Sequence, residues 1–167
     1  MGEAEPMSLT EVSSILWRER ELLELLLFKL EEEQLLLAAG RTRWLAHATR
    51  EVEMVLGEMR RAELGRAVEV EAVATSLGLA PGASLRELAE AAPPPWGGIL
   101  RDHRNAFLAA TQEITALAKS NRDLLANGYR AAREALSSLS EPEVKTYAPD
   151  GRSVHSTPGP RLLNEAI

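Results

Sequence analysis

Three histidines are the only side chains of this chain that ordinarily titrate near neutral pH, and there is no cysteine. A helical di-iron centre needs Glu three residues before His. Trp44, Leu100 and Arg152 hold the positions three before His47, His103 and His155. No His-Glu-x-x-His, phosphate-binding Gly-rich loop or dinucleotide turn occurs. Asp102 and His103 form an acid–base pair on paper, but adjacent residues of a helix do not face each other. We read His103 as an exposed side chain without a role. Glu31-Glu32-Glu33 offers carboxylates to a cation, yet the run spans most of a helical turn and reads as a solvated face. The residues therefore point to no catalytic constellation, no metal site and no cofactor.

The 167 residues suffice for one domain with a modest core. Aromatics are scarce, and Leu, Ala, Glu and Arg dominate, a mix suited to long helices. Met1–Met7 is acidic, carries Pro6 and does not resemble a signal peptide. No apolar run approaches a membrane span. The expectation is a cytoplasmic protein with no stable membrane insertion. Residues 1–34 hold nine acidic and three basic side chains, which accounts for the whole net charge of −6. An acidic first helix argues against nucleic acid, which requires a basic stripe.

Ser8-Leu-Thr-Glu11 reads as a capping box that opens a first long helix, Leu9 to about Ala39. Leu9, Val12, Leu16, Leu23, Leu26, Leu30 and Leu37 keep a seven-residue seam with polar gaps. Gly40 ends it as a left-handed cap. A second long helix runs from about Arg43 to Leu77, with a seam through Leu45, Ala48, Val52, Val55, Met59, Ala62, Val73 and Leu77. Gly57 and Gly65 weaken it locally. Ser84-Leu-Arg-Glu87 is a further capping box opening a short helix to Ala91, and Pro93-Pro94-Pro95 makes a corner. A third long helix runs from Trp96 to about Leu139. Its heptad passes through Leu100, Phe107, Thr111, Ile114, Ala118, Asn121, Leu125, Gly128, Ala132, Ala135 and Leu139. Asn121, at a seam position, reads either as a register-fixing residue or as a partly exposed polar one, the second being preferred. The fold expected is all-α: an elongated antiparallel bundle of three long helices plus one short helix. Residues 1–139 form the helical domain and residues 140–167 a flexible, disordered C-terminal tail.

Two stretches stand out as binding surfaces. Leu22 to Leu30 places apolar side chains on nearly every side of the helix, interrupted only by Glu24 and Lys29. An ordinary surface helix carries one apolar stripe. Such a ring is either enclosed by neighbouring helices or keeps a face for a partner. The distal third long helix offers mostly Ala, Gly and Ser opposite, so part of the ring is expected to stay uncovered. In the tail, Tyr147 precedes the turn signal Pro149-Asp150-Gly151. A lone large amphipathic side chain in such a segment suits an interface anchor.

The run Leu16-Trp-Arg-Glu-Arg-Glu-Leu-Leu-Glu-Leu-Leu-Leu-Phe-Lys-Leu30, followed by Leu35-Leu-Leu-Ala-Ala-Gly-Arg-Thr-Arg-Trp-Leu45, resembles the actinobacterial form of the FlgN flagellar export chaperones. The likeness continues through Asn121-x-x-Leu124-Leu125 and reaches Tyr147-x-x-x-Gly151. It implies a small cytoplasmic helical protein of the flagellar type III export system, and not an enzyme. Such a protein binds the C-terminal helices of hook–filament junction (hook-associated) proteins, prevents their premature assembly and delivers them to the export gate. By this resemblance, cargo binding falls on the helical region from Asn121 to Leu139. Docking on the cytoplasmic domain of the gate protein falls on Tyr147, with Gly151 shaping the turn. Joined to the leucine ring, the cargo candidates are Leu23, Leu26, Leu27, Phe28, Leu125, Gly128, Ala132 and Ala135. The chain departs from shorter family members by an insertion-like segment from Leu77 to Trp96. The competing expectation is a self-associating coiled-coil structural or adaptor protein, a homodimer through the leucine ring.

Overall fold

The computed structural model describes the backbone of residues 5–139, 146–147 and 153–154, and the side chains of residues 9–139. Four helices follow one another: α1 (Glu5–Ala38), α2 (Thr42–Ser76), α3 (Leu85–Ala91) and α4 (Trp96–Leu139). Two short strands come after them, β1 (Thr146–Tyr147) and β2 (Ser153–Val154). They pair antiparallel, with Tyr147 opposite Ser153. The all-α bundle read from the sequence is the architecture found. The chain forms two compact units, Met1–Gly128 and Tyr129–Ile167.

In the first unit, α1 and α2 are joined by a tight reversal at Gly40. The Arg41 amide donates to the Leu36 carbonyl (2.9 Å) and the Gly40 amide to Leu37 (3.2 Å). This double bond pattern needs a left-handed residue, and Gly40 supplies it at φ +64°. Gly78 repeats the device after α2, with Leu79 donating to Ala74 and φ at +71°. The Ser84 capping box is present in full: Glu87 N–H donates to Ser84 Oγ, and Ser84 N–H donates to Glu87 Oε2. The box expected at Ser8 does not mark the start of α1. Because α1 already begins at Glu5, Ser8 lies inside the helix rather than at its cap. Pro6 falls in the first turn, where a missing N–H leaves no bond unmade.

The sequence seams of α1 and α2 meet that of α4 as far as Asn121, whereas the α4 seam from Leu125 to Leu139 is exposed. Leu9, Val12 and Leu16 pack with Val73, Ala74, Leu88, Ala89 and Leu100 into one buried cluster. Leu22, Leu26, Leu30 and Val55 form a second. α1 and α2 run antiparallel, as Glu33 accepting from Thr49 and Glu19 facing Arg66 show. α4 returns alongside α1 in the same direction, with Ser13 beside His103 and Leu30 beside Asn121. The segment from Leu77 to Trp96 is not a decoration. Leu77, Leu79, Ala83, Leu85, Ala92 and Trp96 all pack against the first cluster, closing one end of the bundle. At Gly97 a Cβ would meet the Ala89 carbonyl oxygen at 2.7 Å, so α4 can start this close to α3 only with glycine there.

Two polar side chains lie deeper than the sequence expectation placed them. Asn121 is buried, not partly exposed; its Nδ2 donates to the Leu30 carbonyl (2.8 Å) and to Glu33 Oε2 (3.2 Å). A seam asparagine that bonds a neighbouring backbone carbonyl fixes helix register. His103 is also buried, with 1% of its surface exposed, because it sits on the α4 seam between Leu100 and Phe107. The expected disorder of residues 140–167 lies outside the described residues, save for the two strands.

Leu16→Ala should destabilise the chain by about 2–5 kcal/mol, since its side chain is fully enclosed. Gly65→Ala should stabilise by roughly 0.5–1 kcal/mol, because nothing lies within 4 Å of the added Cβ on a helix interior position. Urea denaturation of the two variants checks both signs.

Candidate partner-binding surface

The leucine ring is divided rather than enclosed or free. Leu22, Leu23, Leu26 and Leu30 are buried, Leu27 is half-buried, and Leu25 and Phe28 are exposed, Phe28 to 54%. Of the expected cargo residues on α1, Leu23 and Leu26 therefore fill the core, and Phe28 stands in solvent. Lys29 beside it bridges the two helices, 2.9 Å from Glu32 and 2.8 Å from Glu51. These partners, Glu51 foremost, raise the Lys29 ammonium pKa. Further along α1 and α2, Leu35, Leu36, Trp44 and Ala48 line a concavity of about 340 Å³ rimmed by Glu32 and Glu51.

On α4 the expected residues are all exposed: Leu125, Gly128, Ala132 and Ala135. Leu125 also lines a cavity of about 180 Å³ with Leu30 and Leu37 of α1 and Leu45 of α2. The sequence reading named Leu139 but missed Tyr129 and Leu136, the larger side chains that accompany the small ones. Tyr129, Ala132, Leu136 and Leu139 succeed one another at steps of three, four and three, which places them on one face of the helix. Tyr129 is 68% exposed and Leu136 67%. Spacing alone carried this signal, but attention to the alanines and glycine hid it. Tyr147 lies in β1, and Gly151 falls outside the described residues.

Two buried ionisable groups lie deeper in the first unit. His103 Nε2 is 3.4 Å from Ser13 Oγ, its ring meets Trp17 edge-on at 5.0 Å, and its Nδ1 has no hydrogen-bond partner. Burial pushes its pKa down, Arg20 adds to the depression, and Asp102 partly opposes it. Glu19 is 5% exposed, and Arg66 Nε stands 3.2 Å from its Oε1. Burial raises its carboxyl pKa, against the pull of Arg66, while Glu63 raises it further. Sequence pattern could have found Glu19. It occupies the α1 seam between Leu16 and Leu23, and Arg66 occupies the α2 seam between Ala62 and Val73.

An all-helical bundle with an open apolar helix face is a binding scaffold, and no group of three or more metal-ligating side chains gathers among the described residues. None of the described helices is long and apolar enough to cross a membrane. The FlgN protein family model matches residues 7–155, and the chain belongs to that family. It is in general terms a flagellar export chaperone, of a family that is not enzymatic. No curated protein and no solved structure matches the chain.

The His103 shift has a definite sign. A folded pKa below the ordinary value of 6.5 means that the unfolded chain binds the proton first as pH falls. Stability should therefore decline as pH drops from about 6.5 toward the depressed folded pKa, and level off below it. Glu19 acts in the opposite sense: its raised folded pKa costs stability as pH climbs from 4.5 upward. Glu19→Gln should gain on the wild type across that upper window. Urea midpoints measured from pH 4 to 8 test both slopes.

Proposed function

We propose that this chaperone binds the C-terminal helices of hook–filament junction proteins in the cytoplasm, keeps them from assembling early and passes them to the export gate. The observation that carries the cargo part is the apolar face of α4 at Tyr129, Ala132, Leu136 and Leu139. An amphipathic cargo helix laid against this face would bury its own apolar stripe. Each large side chain removed from water there returns roughly 1.5–3 kcal/mol. Ala132 and Ala135 let the cargo backbone come close, and Gly128 leaves open space around it. Leu125 extends the same helix one turn earlier, beside its own apolar cavity.

Of the cargo candidates on α1, Leu27 and Phe28 are the ones with surface to offer a cargo, beside the exposed Leu25. Leu23 and Leu26 contribute from beneath, by holding α1 in place. Gate docking rests on Tyr147 and Gly151, and its support is the family resemblance alone. The face of α4 is also a coiled-coil seam in its spacing, which favours self-association as the second reading.

Calorimetry of the full chain with C-terminal segments of its host's hook–filament junction proteins separates these. One-to-one binding is expected, weakened at least about tenfold by Leu136→Asp, the equivalent of about 1.4 kcal/mol. Tyr147→Ala should bind cargo as the wild type does. No binding by a folded chain that sediments as a tight dimer would replace the chaperone surface with the self-associating one.

A further inference from the structure

A cavity of about 240 Å³ opens between α1, α2 and α4. Glu19, Glu63 and Arg66 supply its charged walls, and Leu23, Met59 and Phe107 its apolar ones. Glu63 is exposed at the mouth, whereas Glu19 is at the floor, more than nine-tenths buried. Neither carboxylate oxygen of Glu19 has a hydrogen-bond partner. Arg66 is close enough for an ion pair but does not meet hydrogen-bond geometry. Two carboxylates and one guanidinium leave the cavity one positive charge short.

We propose that this cavity is a binding site for a primary alkylammonium group, the chemistry of a lysine side chain. The methylene stem would lie along Leu23, Met59 and Phe107, as lysine stems do on apolar surface. The ammonium head carries three donors. Glu19 offers Oε2, and Oε1 beside its Arg66 ion pair, and Glu63 offers more, so the head can bridge α1 and α2 without the flat approach a guanidinium requires. A buried carboxylate is costly unless paired and hydrogen-bonded. Burial outweighs Arg66 in setting the Glu19 pKa, so the existing ion pair leaves part of that cost standing.

The test uses the full chain with its methionine methyls labelled with carbon-13. n-Butylammonium chloride is titrated against sodium chloride of equal ionic strength. The Met59 methyl should shift saturably, and the exposed Met54 methyl should not move with it. Glu19→Gln should weaken the apparent affinity by about tenfold or more. Glu63→Gln, at the exposed mouth, should weaken it less and should leave the urea midpoint near that of the wild type. Putrescine and Nα-acetyl-lysine N-methylamide distinguish a free diamine from a protein side chain, whichever shifts Met59 at lower concentration. Tetramethylammonium, which has no N–H, should leave Met59 in place. A response equal to that of butylammonium, a shift without saturation, or binding unchanged in both Gln variants would overturn the proposal.

Discussion

The buried strip of α1 from Leu9 to Leu30 is the surface on which every other helix of the first unit is ordered. Leu9, Val12 and Leu16 receive α2, α3 and the start of α4, and Leu22, Leu26 and Leu30 receive the middle of α2. The strip has a seven-residue period, so its neighbours must lie nearly along it. Register then comes from the few polar groups set into the strip. Asn121 is tied to the Leu30 carbonyl, and Glu19 faces Arg66. Slipping α4 by one residue would leave the Asn121 amide buried without its acceptor, a loss of about 1–3 kcal/mol.

That constraint decides which apolar side chains are left for a partner. Once α1 turns its strip inward, the remaining ring members, Leu25 and Phe28, face outward whatever the rest of the chain does. On α4, core positions such as Leu100, His103 and Asn121 are buried. The helix nevertheless continues to Leu139, and its last turns keep an apolar face in solvent. A helix that long, apolar on one side and exposed, is an economical way to offer a docking surface without opening the core.

Helix number, order and boundaries were legible because heptad seams, glycine caps and the Ser84 box are local signals. The start of α1 was not, since a proline in a first turn looks like a break until the helix is seen to include it. Burial of His103, Asn121 and Glu19 was misread or missed for a common reason. Each sits on a seam position, where polar residue type and periodicity point to opposite outcomes. Periodicity won because enclosing the flanking leucines encloses everything between them. The mixed fate of the leucine ring could not be read in one dimension, as it depends on which neighbours arrive. The short pairing of Thr146–Tyr147 with Ser153–Val154 had only the Pro149-Asp150-Gly151 turn signal to announce it.

Hydrogen–deuterium exchange of the full chain, alone and with the C-terminal segment of a junction protein, tests the central claim directly. The account predicts added protection across residues 125–139, with Leu22–Leu30 already protected in the free chain and little changed. Protection gained at Leu22–Leu30, with residues 125–139 exchanging as before, would contradict it. That result would mean that cargo opens the core rather than docking on the helix beyond it.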